Sequence, residues 1–122
     1  MSYVFDTNVV LYLFADRLSE PLPKGPAAVS VVSAIELLSF QYLTTEEAAK
    51  IETFLATVEV VDLGRDLRDE AVRFRRDYKL KLPDAIIAAT ANAQGAVLLT
   101  HDARLAQIPE LKTLTPTLRE KF

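Results

Sequence analysis

Four acidic side chains carry the chemistry that this sequence offers: Asp6, Glu36, Asp84 and Asp102. Asp6 closes the apolar run Tyr3-Val4-Phe5, and Glu36 lies just after Ala28-Val29-Ser30-Val31. Asp84 opens the small-residue stretch Leu82–Ala91, and Asp102 follows Val97-Leu98-Leu99-Thr100. Singly, each has an ordinary structural use. Asp6 and Asp102 could cap the helices that follow them, and Ser33-Ala34-Ile35-Glu36 has the form of a capping box. Asp84, one residue after Pro83, would complement the helix dipole in a first turn that Pro83 opens. Together they mean more, provided the fold gathers them. Clustered carboxylates repel unless a cation compensates them, and a hard divalent ion with several carboxylates is the usual remedy. Such a centre suits phosphodiester hydrolysis, in which an activated water attacks and the developing charge needs stabilisation. Asn8 and Thr100 stand beside the group and could orient a carboxylate or a water, or serve as turn and cap residues.

Composition narrows the choice of metal. The 122 residues contain no cysteine and one histidine, so thiolate and multi-histidine sites are excluded. Oxygen ligands alone point to Mg²⁺ or Mn²⁺. The formal charge of −3 argues against purely electrostatic nucleic-acid binding. Four metal-bound carboxylates taken out of that sum leave +1, which weakens the objection. Half the residues are apolar and a quarter charged, as in a folded soluble domain, and the length suits a single domain spanning 1–122. The longest apolar run, Val9 to Ala15, is too short to span a bilayer, and no leader pattern precedes the first strand. A cytoplasmic location is expected.

The elements that must position the acids alternate in type. Strands are expected at Tyr3–Phe5, Ala28–Val31, Val58–Val61 and Val97–Thr100, with an edge strand over Leu111–Thr115. Helices are expected at Thr7–Phe14, from Ser33 to about Leu43, and after Thr44-Thr45-Glu46-Glu47, which is a capping-box pattern. Leu67, Ala71, Phe74 and Tyr78 mark another helix, and Leu82–Ala91 a further one ended by Gly95. A short helix is expected near Asp102–Gln107. The segment from Asp16 to Pro26 reads as a loop, and the residues after Pro116 as a polar tail. Unbroken apolar strands alternating with helices predict an α/β fold, a central mainly parallel sheet of four or five strands flanked by helices. Ligands collect beyond the carboxyl ends of such strands, which is the edge where all four acids fall.

Phe5-Asp6-Thr7-Asn8, Ser33-Ala34-Ile35-Glu36, Leu82-Pro83-Asp84-Ala85-Ile86-Ile87-Ala88-Ala89-Thr90-Ala91 and Leu99-Thr100-His101-Asp102 resemble, in order, the motifs of PIN-domain ribonucleases. The resemblance is strongest to VapC-type toxins of toxin–antitoxin pairs. It implies a PIN-like three-layer sandwich and a Mg²⁺- or Mn²⁺-dependent endoribonuclease. Such proteins are usually dimers, silenced by a small antitoxin whose tail occupies the site. By position, Asp6, Glu36, Asp84 and Asp102 match the family's catalytic and metal-binding acids, while Asn8 and Thr100 match its supporting polar residues. Leu105 stands where many relatives carry an aromatic residue, and a proline-rich loop replaces helix found in others.

Seven basic residues, Arg65, Arg68, Arg73, Arg75, Arg76, Lys79 and Lys81, precede Asp84. They form either a solvated helix face balanced by Asp66, Asp69, Glu70 and Asp77, or a phosphate-gripping surface. In the second case Arg75, Arg76, Lys79 and Lys81, nearest the site, would contact RNA. His101 is expected to be an exposed turn residue rather than a base. Two other functions remain open. A phosphoacceptor receiver would use Asp62, Thr100 and Lys112 after its third, fourth and fifth strands. A PIN fold could also serve as a binding module without catalysis.

Overall fold

Alternating apolar runs fold as alternating strands and helices in the computed structural model, which describes residues 1–120. Strand β1 (Tyr3–Phe5) leads into helix α1 (Thr7–Phe14), and β2 (Ala27–Ser30) into α2 (Val31–Leu38). Next come α3 (Thr45–Thr57), β3 (Glu59–Val61), α4 (Arg65–Tyr78) and α5 (Leu82–Ala93). The described chain closes with β4 (Val97–Leu99), α6 (Ala103–Ala106) and β5 (Lys112–Leu114). The strands form one sheet in the order β3-β2-β1-β4-β5, and every pairing is parallel.

Period-2 alternation divides the apolar side chains between two cores, because successive strand residues point to opposite faces. Val4, Ala28 and Leu98 belong to one core, with Phe74 of α4 and Ile86, Ile87 and Ala88 of α5. Phe5, Val29 and Leu99 belong to the other, with Val9 and Val10 of α1, Leu37 of α2 and Ile51 of α3. The result is the expected three-layer sandwich.

Helix α5 runs through the first core. Ala85, Ala88, Ala89 and Ala91 are almost fully buried, and their small side chains allow close approach to the sheet. The left-handed conformation of Gly95 (φ +59°) ends this helix, a conformation that glycine adopts at little cost. Among the described residues no helix is long and apolar enough to cross a membrane.

Four local expectations need correction. Helix α2 is capped by Ser30, whose side chain accepts from Val32 N, so Ser33 and Glu36 lie inside the helix and form no capping box. That helix stops at Leu38, not near Leu43. The Ser39 hydroxyl donates to the Ile35 carbonyl at 2.6 Å, and its N–H bonds back to Glu36, a tightened turn that does not propagate. Pro83 is the second helical residue, after Leu82, and its missing N–H still falls among the donors that a helix leaves unpaired. The polar tail is also partly ordered. Leu18 and Leu118 form an antiparallel bridge, and Ser19 N donates to Thr117 O. Lys121 and Phe122 of that tail lie outside the described residues.

Candidate metal centre

The chain moves outward from β1 in both directions: β2 and β3 lie on one side, β4 and β5 on the other. The boundary between β1 and β4 is therefore the switch point, and the rule for such sheets puts the ligand crevice beyond its carboxyl ends. Asp6 follows β1 there, and Thr100 follows β4. The loop into α6 brings Asp102, and the first turn of α5 brings Asp84.

Asp6 is 7% exposed, an unusual degree of burial for a carboxylate. Its Oδ1 accepts from Thr7 N at 2.8 Å, the helix-cap role, and its Oδ2 accepts from Thr100 Oγ1 at 2.7 Å. Capping and site-building are thus done by different oxygens of one side chain. Burial raises the Asp6 pKa above its ordinary value, and nearby Asp84 and Asp102 raise it further. The bonds from Thr100 and Thr7 pull in the opposite direction without cancelling that rise.

Asp84 is likewise shifted upward, first by burial and then by Asp102 and Glu36, with Arg104 and Lys81 partly offsetting them. Asp102 caps α6 through Oδ1, which accepts from Arg104 N at 2.8 Å. Its own N–H donates to Thr100 Oγ1 at 3.0 Å. Glu36 is half-buried, and its Oε1 accepts from Thr7 Oγ1 at 2.7 Å. The four acids therefore share one electrostatic neighbourhood at the carboxyl edge. Among the described residues, however, no three acidic or histidine side chains form a ready-made cage for one ion. An all-oxygen donor set with an excess of mutually repelling carboxylates fits a hard divalent cation such as Mg²⁺ or Mn²⁺.

Asn8 is exposed on α1, two residues from Asp6, and makes no side-chain hydrogen bond among the described residues. Thr100 is fully buried. His101 is half-buried, not exposed: its Nε2 donates to the Pro116 carbonyl at 2.7 Å and its ring packs edge-on against Tyr12. That contact ties it to the C-terminal segment rather than to the acids. Lys81 stands just before α5 without a side-chain cap bond, and Arg75, Arg76 and Lys79 stand at the end of α4. All four are exposed, and none is in a salt bridge among the described residues. By contrast, Arg68 pairs with Asp69, and Arg73 pairs with Glu70, Asp77 and Glu110.

Three residues of the site are not evident from sequence reasoning. Thr7 and Ser33 are buried, with Thr7 Oγ1 2.8 Å from Ser33 Oγ, so they hold Glu36 from below. Their place within the Asp-Thr-Asn and Ser-Ala-Ile-Glu motifs is the signal that could have found them. Arg104, whose Nη2 lies 3.6 Å from Asp84 and 3.5 Å from Asp102, gives none, because one basic residue on a surface helix is unremarkable. The receiver arrangement does not form. Strand β2 separates β3, and hence Asp62, from β1, while Lys112 begins β5 at the opposite edge.

The fold and site define an open parallel α/β domain with an acidic crevice at its switch point. The PIN domain family profile matches residues 3–111, and the chain belongs to that family. Among curated protein sequences no relative matches. A toxin–antitoxin complex from Klebsiella pneumoniae is similar at 27% identity and a TM-score of 0.79, over 94% of this chain and 98% of that one. VapBC-1 from nontypeable Haemophilus influenzae is similar at 26% identity and a TM-score of 0.73, with the same coverage of 94% and 98%. DNA-bound VapBC from Salmonella typhimurium shares the fold at 18% identity, with a TM-score of 0.80 over 94% and 98% of the two chains.

Proposed function

We propose that residues 1–122 act as one VapC-type toxin domain, an endoribonuclease that depends on Mg²⁺ or Mn²⁺ and works in the cytoplasm. The buried Asp6 carboxylate, held by Thr100 with Asp84 and Asp102 close by, is the observation that carries this reading. Asp6, Glu36, Asp84 and Asp102 are the residues that would hold the ion and serve catalysis. When bound, the ion would supply an activated water and stabilise charge on the scissile phosphate.

The remaining steps belong to the chain itself. Thr100 orients Asp6, and Thr7 fixes Glu36, so the two acids keep their aim without support from the ion. Asn8, exposed beside Asp6, is free to orient the attacking water or a carboxylate. Arg75, Arg76, Lys79 and Lys81 grip RNA phosphates that reach past the crevice. Similarity to a toxin–antitoxin complex and to VapBC-1 supports an antitoxin as partner, and a homodimer is the assembly proposed with it. Exposed apolar side chains at Phe14, Phe40 and Tyr42, around a groove floored by Leu11 and Ile51, suit burial by an apolar partner segment.

The test is cleavage of structured RNA by the purified chain with Mn²⁺ and with EDTA. Activity restricted to Mn²⁺, and lost in Asp6→Asn and Asp84→Asn proteins that still fold, is expected. Cleavage that persists in either variant would sink the assignment.

A further inference from the structure

Asp84 has one close cationic partner among the described residues, and that partner comes from its own chain. The Arg104 guanidinium spans from Asp84 Oδ2, at 3.6 Å, to Asp102 Oδ2, at 3.5 Å. It joins the first turn of α5 to the cap of α6. The carboxylates it bridges have few other partners. Asp84 accepts no hydrogen bond among the described residues, and Asp102 commits its other oxygen to the α6 cap. Asp6 and Glu36 are instead satisfied by Thr100, Thr7 N and Thr7 Oγ1. The positive charge of Arg104 thus lies beside Asp84, which no hydroxyl or amide compensates, and beside the Asp102 oxygen that the α6 cap leaves free.

We propose that Arg104 is an internal counter-ion, occupying the cation position between Asp84 and Asp102 and displaced when a divalent ion enters. The inference rests on the metal-centre reading above. A guanidinium stays charged across the accessible pH range, so it leaves by moving and not by losing a proton. Its side chain is 58% exposed on a four-residue helix, and the long stem has open solvent to swing into. A cation pair in the same position would repel, so the ion and the guanidinium exclude each other. Two consequences follow. The site stays charge-compensated without a metal, and its affinity for one is lower than the carboxylates alone would give. Once displaced, the planar fork stands at the crevice rim, with its donors available to a phosphate oxygen.

Calorimetric titration of the full chain with Mn²⁺ compares wild type, Arg104→Gln and Arg104→Lys. Arg104→Gln is expected to bind Mn²⁺ roughly 3- to 10-fold more tightly, the scale of removing one exposed charge from beside a divalent ion. Arg104→Lys keeps the charge and is expected within about twofold of wild type. Thermal melting in EDTA and in Mn²⁺ supplies a readout independent of activity: Arg104→Gln should gain more from Mn²⁺ than wild type gains. Equal or weaker Mn²⁺ binding by Arg104→Gln, with wild type still binding, overturns the counter-ion and leaves the metal centre standing. Absence of Mn²⁺ binding in all three proteins overturns the metal centre, and the counter-ion with it.

Discussion

Thr100 Oγ1 donates to Asp6 Oδ2 at 2.7 Å, across the boundary between β1 and β4 where the order of the strands reverses. The same hydroxyl accepts from Asp102 N at 3.0 Å. One buried side chain, 94 residues from Asp6 in the chain, therefore ties the first acid of the site to the last. Valine keeps the shape of threonine but offers neither bond. Thr100→Val is expected to weaken Mn²⁺ binding roughly 10- to 100-fold, the usual effect of losing a group that orients a ligand. Thr100→Ser should restore most of it. Calorimetry on proteins shown to be folded by circular dichroism makes the comparison, and unchanged affinity in the valine variant would refute the role.

Holding Asp6 ready has a cost in stability. Burial, then the charges of Asp84 and Asp102, keep its native pKa above the 3.8 of an ordinary aspartate. The native state then binds a proton more tightly than the unfolded state. Stability from that proton is present in acid and is lost as pH rises from 3.8 through the native value. At pH 7 in EDTA, Asp6→Asn should therefore melt a few degrees above wild type, the pattern of a site that trades stability for function. The advantage should shrink as pH falls through the raised native value toward the ordinary 3.8. An asparagine protein that melts at or below wild type at pH 7 would contradict this account.

Much of this is legible in the chain because it rests on local rules. Apolar strand runs and helical spacing predict the α/β order, and the strand-end rule puts Asp6 after β1 and Asp102 after β4. Asp84, by contrast, follows no strand and comes near Asp102 only through the packing of α5. Thr44 and Glu47 form the expected capping box because both halves of that bond lie within one turn. What is not legible depends on contacts distant in sequence. Thr7 reaches Glu36 across 29 residues, and this pairing gives Glu36 a tertiary partner where the local pattern Ser33-x-x-Glu36 suggests a cap. The segment after Pro116 reads as a tail because its partners, Arg17 to Ser19, lie about a hundred residues earlier. Arg104 acquires its meaning only from where Asp84 sits.

Away from the crevice, Glu110 fastens the turn before β5 to α4. It accepts from Arg73 through two parallel bonds, at 2.9 and 2.5 Å, and from Tyr78 Oη at 2.6 Å. The Arg73 guanidinium, then the Tyr78 hydroxyl, lower the Glu110 pKa to about 2. Its sign is opposite to that of Asp6: the stabilisation is complete above the ordinary value of 4.5 and fades as pH falls from there toward 2. Arg73 is 39% exposed and Glu110 32%, so solvent screening holds the worth of the pair to about 1 kcal/mol. Glu110→Gln should lose about that much in urea unfolding at pH 7 and approach wild type near pH 2.5. A deficit of equal size at both pH values would place the effect in packing and not in charge.

The basic residues ahead of Asp84 divide into two sets by their partners. Arg68 and Arg73 pair with acids of α4 and with Glu110. Arg75, Arg76, Lys79 and Lys81 are exposed and unpaired among the described residues, at the end of α4 and the start of α5. The second set therefore holds the charge that RNA phosphates can use. On an Asp6→Asn background that prevents cleavage, binding of a single-stranded RNA can be followed by fluorescence anisotropy over a range of salt. Replacing Arg75 and Arg76 with glutamine should weaken binding and flatten the log K against log salt slope by about 0.7 for each phosphate no longer neutralised. Arg68→Gln, which removes a charge already paired with Asp69, should leave the slope nearly unchanged. If the two substitutions flatten it equally, RNA senses the net charge of the chain and not a surface built beside the crevice.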